Sequence, residues 1–517
     1  MGFFRYWQVC ARSWVPLTSI VAGDYSGRQA RVKRTHRATS MNSQLLESLK
    51  KLLGADGVLY KPEDLPLYEY DGSIESARPD CVVFPRTAED VAAIVYLAHR
   101  YETPLVGRGA GTGLSGGALA RRGGIVTVFS RMNHILSIDA ENQRATVEPG
   151  VVNSDLSAAA ASWNLYFAPD PSSQKACTIG GNVAENAGGP HTLAYGVTTN
   201  HVLALEIVLP TGELMRLGSA ALDPPGYDLT GLFTGSEGTL ALVTEITVKL
   251  SRLPEAVKTL LAIFDTVEDA TETVADITAR GITPAACEML DGWTLRAVEA
   301  YVHAGFPLDC AAVLLIDVEG LREAAEAQAE DVADVCRRHR AREVRVARDA
   351  RERELLWKGR KNAFGAIGRL SPTYYSQDGV IPRTKLPAAL ARIGEIGKKF
   401  GFEIGNIFHA GDGNLHPIIL FDARDPEQRR RAVAAADEII EMCVRMGGSI
   451  TGEHGIGMEK DRLMPLLFSE ADLALMRRVH DAFNPTGLLN PGKLFPGAKS
   501  CGEIHARPSP AAAASRP

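Results

Sequence analysis

Short apolar runs separated by polar turns predict a series of strands in the first half of the chain. The run Cys81-Val82-Val83-Phe84 predicts a strand, and Thr87 with Asp90 forms the signature of a helix N-terminus directly after it. By the same pattern, further strands are expected at 104–109 and 124–128, with hairpins at 135–147 and around the turn Thr211-Gly212. The first half is therefore expected to mix strands, helices and long loops.

The pattern changes after Pro254, where long apolar runs alternate with amphipathic stretches. A strand at 258–264 is followed by a helix at 267–280, and the cycle repeats with a strand at 311–320 and a helix at 321–340. These cycles predict an α+β domain with an antiparallel sheet and its helices on one face. Residues 458–496 add one more helix and a turn-rich end.

Composition narrows the class of protein. The 517 residues are 45% hydrophobic and 23% charged, which is typical of a soluble enzyme of more than one domain. The formal net charge of −6 and the lack of a basic stripe disfavour nucleic-acid binding. No apolar run reaches the ~18 residues that a membrane span needs, so we expect at most peripheral membrane contact.

Eight cysteines are scattered through the sequence without a Cys-x-x-Cys pair. That spacing indicates a reducing compartment and no iron–sulfur cluster held by this chain. The first forty residues carry seven Arg or Lys against one acid, Asp24. This composition resembles a transit peptide, but an upstream start assigned in error is the favoured interpretation, because Met41 directly precedes a predicted helix.

A glycine-rich loop follows the strand at 104–109. Residues 111–116 satisfy the letters GxGxxG, but a strand rather than a helix follows, so the dinucleotide-binding interpretation of that motif fails. A loop from Gly107 to Gly117 can instead bring several backbone N–H groups close to a diphosphate. Glycine-rich stretches at 177–182 and 234–239 have the same character, and together the three favour one large ligand.

The most informative residues are the histidines and acids of two turns, FHAGDGNLH at 408–416 and TGEH at 451–454. His409 and His416 are expected on two strands of a hairpin, close across its mouth, while Asp412 is expected to form the turn. If the turns meet, imidazoles and a carboxylate suit a divalent ion that lowers the pKa of a bound hydroxyl. The alternative is that each is an ordinary polar loop residue.

Six ordered motifs between Gln44 and Pro496 resemble one flavoprotein family. They are PLVGRGAGTGLSGG, PDPSSQKACTIGGNVAENAGG, GSEGTLALVTEITVKL, FHAGDGNLHP, TGEHGIG and NPGKLFP. The chain is similar to FAD-linked oxidases that combine a two-subdomain vanillyl-alcohol-oxidase or PCMH-type FAD domain with a D-lactate-dehydrogenase-type C-terminal domain. Within that family, the stretch 356–382 looks most like the FAD subunits of the glycolate oxidase type.

The resemblance implies an α+β fold in which a ferredoxin-like substrate (cap) domain follows the FAD domain. The expected segments are an extension at 1–41, the FAD domain at 42–252, the substrate domain with the metal site at 253–457, a segment at 458–496 that returns to the FAD domain, and a disordered tail at 497–517.

The resemblance also implies non-covalent FAD, because this glycine loop lacks the histidine found in relatives with covalent flavin. The positions it assigns to FAD are Gly107, Gly109, Ala110, Gly111, Thr112, Gly113, Leu114, Gly117, Pro169, Asp170, Thr178, Gly181, Asn182, Gly238 and Asn490.

By the same resemblance, His409, His416 and Glu453 would bind a divalent metal, either Zn, Mn or Fe. His454, with a pKa near neutral, would accept the proton of a substrate hydroxyl. Arg360 would hold the substrate carboxylate, although its place beside Lys358 and Lys361 by itself indicates an exposed helix charge. The expected reaction is oxidation of a small 2-hydroxy acid to the 2-oxo acid, with hydride transfer to the flavin.

Electrons would then pass to partners, which the resemblance gives as a second flavin-domain-like subunit and an iron–sulfur subunit leading to quinone. The expected location is the cytoplasm, with peripheral attachment to the inner membrane through those partners, in preference to a mitochondrion. Two alternatives stay open: a stand-alone D-lactate dehydrogenase, and a catalytically silent flavin-binding subunit that serves assembly.

Overall fold

The computed structural model describes residues 41–221 and 225–497. The expected N-terminal extension, except for Met41, and the expected tail, except for Gly497, lie outside the described residues. The first layer is a four-stranded sheet in the order β1-β2-β4-β3. Its elements are α1 (Ser43–Leu53), β1 (Val58–Leu59), β2 (Cys81–Val83), α2 (Ala88–Arg100), β3 (Leu105–Arg108) and β4 (Ile125–Val128).

Helix α2 begins where the sequence predicted. The Thr87 side chain accepts a hydrogen bond from the Asp90 N–H, and the first turn carries acids that favour a helix N-terminus. Its Val91 and Ile94 side chains are fully buried against the sheet. The predicted strands at 81–84, 104–109 and 124–128 are confirmed. Strands β2 and β3 both run parallel to β4, so the glycine loop leaves β3 at the edge of the sheet where β2 and β4 also end.

A five-stranded antiparallel sheet follows, in the order β5-β6-β10-β8-β9, and the two predicted hairpins form parts of it. The elements of this region are β5 (Ile135–Asp139), β6 (Arg144–Val147), α3 (Asn153–Ala160), β7 (Leu165–Tyr166), α4 (Ile179–Glu185), α5 (Thr192–Tyr195), β8 (Val202–Val208), β9 (Leu214–Gly218), α6 (Leu229–Phe233), β10 (Leu242–Lys249) and β11 (Ser251–Arg252), which pairs with β7.

The largest sheet has seven antiparallel strands in the order β15-β12-β14-β13-β18-β20-β16. Its region comprises β12 (Ala256–Phe264), α7 (Val267–Ala279), β13 (Ala286–Asp291), α8 (Gly292–Val302), β14 (Ala312–Gly320), α9 (Arg322–Arg338), β15 (Glu343–Val346), α10 (Ala350–Lys361), α11 (Ala363–Ile367), β16 (Thr373–Ser376), β17 (Gly379–Val380), α12 (Leu386–Phe400), β18 (Ile404–Phe408), β19 (Asn414–Leu415), β20 (Pro417–Phe421) and α13 (Pro426–Arg445).

The expectation that helices cover one face of this sheet is wrong. Leu260, Ala262 and Phe264 of β12 pack with α7, α9, α12 and α13, whereas Leu261 and Ile263 pack with α8, α10 and α11. Because successive strand residues point to opposite faces, a strand covered on both sides must be apolar throughout. The unbroken apolar runs at 260–264 and 311–316 were the signal for two covered faces.

The last helix is α14 (Glu470–Phe483), within the stretch where one was expected. After it the chain approaches the first sheet: the Leu105 N–H donates to the Leu488 carbonyl at 2.9 Å, and the Asn490 N–H donates to the Leu105 carbonyl at 2.8 Å. These bonds pair residues 488–490 with the first residue of β3, the strand that leads into the glycine loop.

Candidate active site

One cavity is lined by both the glycine loop and the histidine turns, which are far apart in the sequence. The predicted positions that line it are Gly107, Gly109, Ala110, Gly111, Thr112, Gly113, Leu114, Gly117, Thr178, Gly181, Asn182, Gly238, Arg360, His409, His416, Glu453 and His454. The fold therefore brings the glycine-rich loops, predicted to bind the nucleotide, to the same cavity as the candidate metal and base residues.

The glycine loop is shaped to receive a ligand. Among the residues the structure describes, none accepts a hydrogen bond from the backbone N–H groups of residues 109–118. Gly111 has a φ of +71°, and a Cβ there would lie 2.1 Å from an Arg108 guanidinium nitrogen. A Cβ on Gly109 would lie 2.4 Å from the Thr178 Oγ1 atom. A row of free N–H groups on a glycine-rich backbone with few side chains fits a diphosphate.

Other residues assigned to the cofactor border the same space. Thr178 caps helix α4 by accepting the Gly181 N–H at 3.2 Å. Asn182 is buried, and its Nδ2 atom has no hydrogen-bond partner among the described residues. A buried amide without a partner costs stability, so it indicates a group still to be bound.

Three of the assigned residues do not line the cavity and have other partners. The Pro169 carbonyl accepts a hydrogen bond from Asn153. Asn490 donates to the carbonyls of Gly117 and Glu237 at 2.9 and 2.6 Å, and so fastens the glycine loop from behind. Direct contact of these residues with a cofactor stays a prediction.

The third, Asp170, joins two parts of the fold through ion pairs. Its Oδ2 atom lies 3.0 Å from His191 Nδ1 and 3.2 Å from Lys361 Nζ at the end of α10. Burial alone raises the pKa of Asp170, but these two cations outweigh it and lower the pKa to about 2. The carboxylate is therefore ionised and links α10 to the loop that precedes α5.

The candidate metal ligands converge. His409 directly follows β18 and His416 lies between β19 and β20, while Asp412 ends a single 3-10 turn between them. The Nε2 atoms of His409 and His416 lie 3.0 and 3.2 Å from Glu453 Oε1. All three ligand atoms lie within 4.8 Å of one another, so the predicted arrangement across a hairpin mouth is what the structure has.

The residues behind this cluster fix the direction of each imidazole. Glu288, fully buried in β13, lies 2.8 Å from His409 Nδ1, and the Gln377 carbonyl lies 3.2 Å from His416 Nδ1. Metal-binding histidines usually hold their second ring nitrogen in this way. Two imidazoles and a carboxylate with supported outer nitrogens fit a divalent ion of the Zn, Mn or Fe class.

The TGEH loop is organised by Asp378, a fully buried carboxylate between β16 and β17. Its oxygens accept N–H hydrogen bonds from Gly452, Glu453 and His454, and Lys460 Nζ lies 3.3 Å away. Burial acts to raise the pKa of Asp378, but His454, Lys460 and His416 hold it well below its usual value. The ionised carboxylate thus sets the direction of Glu453 and His454 together.

His454 stacks on His416, with the ring centroids 4.9 Å apart and the planes within 3°. Burial lowers the pKa of His454 to about 4, with Asp378 opposing and His416 assisting the shift. This differs from the near-neutral pKa expected from sequence, which could not register the burial or the second imidazole. The ring is therefore neutral at physiological pH and has a free site for a proton.

Arg360 differs from the exposed helix charge that its neighbours suggested. Only 1% of its side chain is exposed, and its Nη2 atom lies 2.5 Å from Glu288 Oε2. Its Nε and Nη1 atoms have no hydrogen-bond partner among the described residues. A buried guanidinium at a cavity wall with free donors is suited to bind a carboxylate.

Sequence reasoning missed Glu288 and Asp378, which support the site without lining it. Glu288 interrupts the apolar strand Ala286–Asp291, and Asp378 lies in the short polar stretch between β16 and β17. An acid inside an apolar strand is a usable signal, because a buried charge needs a partner. The partner itself is specified only by the fold.

Comparison with known proteins gives the family. Residues 79–218 match the model of an FAD binding domain, and residues 233–494 match the model described as FAD linked oxidases, C-terminal domain. The chain belongs to the FAD-linked oxidase family. It is thus an oxidoreductase with an FAD-binding domain, as the motifs implied.

The relatives include enzymes of 2-hydroxy acids. The chain is 48% identical over 465 residues to glycolate oxidase subunit GlcD of Escherichia coli K12, covering 90% of this chain and 93% of the relative. It is 33% identical over 427 residues to a D-lactate dehydrogenase of Anaerostipes hadrus, covering 81% and 90%.

A solved structure of p-cresol methylhydroxylase with substrate bound is similar in fold, with a TM-score of 0.76 at 19% identity over 87% of this chain and 96% of that one. This likeness confirms the expected fold class. Within the described residues, no helix combines the length and apolar character needed to cross a bilayer.

Proposed function

We propose that this protein oxidises a small 2-hydroxy acid, with glycolate as the first candidate and D-lactate as the second, to the 2-oxo acid in an FAD-dependent reaction. The observation that carries the proposal is the single cavity that joins the glycine loop to His454, Arg360 and the histidine–glutamate cluster. The glycolate oxidase subunit at 48% identity supports glycolate as substrate.

The substrate carboxylate is anchored by Arg360. Its unpaired Nε and Nη1 atoms supply two donors, and Glu288 holds the guanidinium against rotation from its other side. The hydroxyl then points toward the histidine cluster. His454 accepts the hydroxyl proton, because its ring is neutral and its backbone is fixed by Asp378.

His409, His416 and Glu453 would hold a divalent metal, which when bound lowers the pKa of a substrate hydroxyl. FAD, when bound, would supply the acceptor for the C2 hydride. The glycine loop and α4, which line the cavity, would hold the cofactor in position. Orientation is the chain's main contribution, since hydride transfer tolerates little misalignment.

We also propose the division into an FAD domain at 42–252, a substrate domain at 253–457 and a returning segment at 458–496. The bonds between Leu105 and residues 488–490 support the return. A second flavin-domain-like subunit and an iron–sulfur subunit are proposed as electron acceptors. They would act in the cytoplasm or at the inner membrane surface, and the subunit status in the name of the Escherichia coli relative is in keeping with such partners.

The proposal is tested by a substrate screen. Purified, FAD-loaded protein is supplied with a dye acceptor and a series of 2-hydroxy acids, and the 2-oxo acid product is quantified. Glycolate or D-lactate should give product, and the deuterated C2 substrate should react more slowly. The absence of product from all acids would reject the enzyme and favour the silent assembly subunit.

A further inference from the structure

Glu185, the last residue of α4, lies between two functional loops. A Cβ on Gly117 of the glycine loop would lie 2.5 Å from its Oε1 atom, and a Cβ on Gly455 would lie 2.5 Å from its Oε2 atom. Gly455 directly follows His454, and Glu185 lines the cavity. Both loops therefore use glycine where this carboxyl group needs space.

The carboxyl group of Glu185 has no donor among the described residues. Its Oε2 atom is closed off from solvent and has no hydrogen-bond partner. A neighbouring carboxylate, that of Glu237, is fully engaged, because its two oxygens accept the N–H groups of Ile456 and Gly457 at 2.7 Å each. Glu237 is thus held as an acceptor, while Glu185 is left without a proton donor from the chain.

Neither nearby lysine compensates Glu185. Lys493 Nζ donates to the Gly117 and Leu119 carbonyls and to Asn490, and Lys460 Nζ is directed at Asp378 and Thr451. Burial first, and then the charges of Glu237 and Asp71, raise the pKa of Glu185 well above its usual value, while the two lysines oppose this only in part. A carboxyl group in such surroundings keeps its proton.

We propose that Glu185 is a neutral carboxylic acid that donates a hydrogen bond across the cavity wall to the isoalloxazine ring of FAD and thereby stabilises the reduced cofactor. The inference rests on the proposed function, because the ring must lie beside His454 if a 2-hydroxy acid reacts there. Glu185 is then a positioning residue for the cofactor, acting on its redox balance, and takes no proton from the substrate.

The test uses holoprotein with Glu185→Gln and Glu185→Leu, and exposed Glu213→Gln as the control. The FAD midpoint potential is measured by spectroelectrochemistry without any 2-hydroxy acid present. Gln retains a neutral donor, so its potential should stay at the wild-type value. Leu has no donor, so the variant loses one hydrogen bond to a charged group, and its preference for the reduced cofactor should fall about tenfold. For a two-electron couple this lowers the midpoint potential by ~30 mV.

A rise in potential in Glu185→Gln would show that the native group is an ionised carboxylate and would overturn the inference, as would an unchanged potential in Glu185→Leu. If the Leu variant fails to retain FAD, infrared difference spectra on reduction decide. A protonated-carboxyl band present in wild type and missing in Glu185→Gln supports the inference, and a wild-type spectrum without it overturns it. Because reduction is electrochemical, failure of glycolate to react would reject only the proposed function.

Discussion

Glu288 should control the proposed metal site without touching the metal. Its two carboxylate oxygens are divided between His409 Nδ1 at 2.8 Å and Arg360 Nη2 at 2.5 Å, and the side chain is fully buried. Burial acts to raise the pKa of Glu288, but Arg360 and His409 outweigh it and keep the group ionised. The change Glu288→Gln keeps the size of the side chain and removes the charge that orients both partners.

Two magnitudes follow from this geometry. Removing the outer partner of a metal-binding histidine typically costs about 10- to 100-fold in metal affinity. Removing one member of a buried ion pair leaves Arg360 uncompensated, for which a loss of about 3–5 kcal/mol in the free energy of unfolding is typical. Both losses should appear together, because one carboxylate serves both partners.

The assay is a metal titration of chelator-treated protein followed by mass spectrometry of bound metal, with urea unfolding of the same samples. Glu354→Gln is the matched control, because Glu354 is exposed on the same helix as Arg360. Wild-type metal affinity in Glu288→Gln would refute the assignment of His409 as a supported ligand. Normal stability would refute the buried ion pair.

Three further results are expected. Gly111→Ala should weaken FAD binding by at least ~10-fold, because the new Cβ would lie 2.1 Å from Arg108 at a positive φ. Gly394→Ala is the control, because a Cβ there meets nothing within 4 Å. Equal FAD content in the two variants would contradict this prediction. His454→Ala should remain yellow yet show no flavin reduction by glycolate in stopped flow, whereas normal reduction would reject it as the base. Burial opposes the charge on His191, but Asp170 outweighs burial and raises the pKa of His191 to about 9. The protonated His191 therefore stabilises the fold by about 3 kcal/mol below pH ~6.5, and this stabilisation is lost as the pH rises through about 9. Urea unfolding should show that His191→Gln is far more destabilised at pH 6 than at pH 9.5, and equal losses at the two pH values would contradict this.

The local elements could be predicted from sequence because their signals are local. The Thr87 cap, the turn at Thr211-Gly212 and the apolar run of β14 each depend on a few adjacent residues. The convergence of His409, His416 and Glu453 needed the family motifs, since no spacing rule joins residue 409 to residue 453.

The remaining features depend on tertiary packing and had no local signal of comparable strength. Arg360 looks like a surface charge because its neighbours Lys358 and Lys361 are charged, and only the position of β13 beneath α10 reveals its partner. The pKa of His454 depends on burial and on a stacked imidazole, both of which are properties of the folded cavity. Asp170, read as a cofactor residue, is held by His191 and Lys361.

In the proposed enzyme, one cavity unites the flavin, the substrate anchor Arg360 and the metal-supported base His454. The most direct measurement is anaerobic mixing of FAD-loaded protein with glycolate, with the flavin absorbance recorded before metal removal, after chelation and after return of a divalent ion. The flavin should bleach, stay oxidised after chelation, and bleach again once the ion is restored. A flavin that stays oxidised with glycolate and D-lactate in the metal-loaded protein would rule out the proposed reaction, and one that bleaches equally well after chelation would rule out the metal.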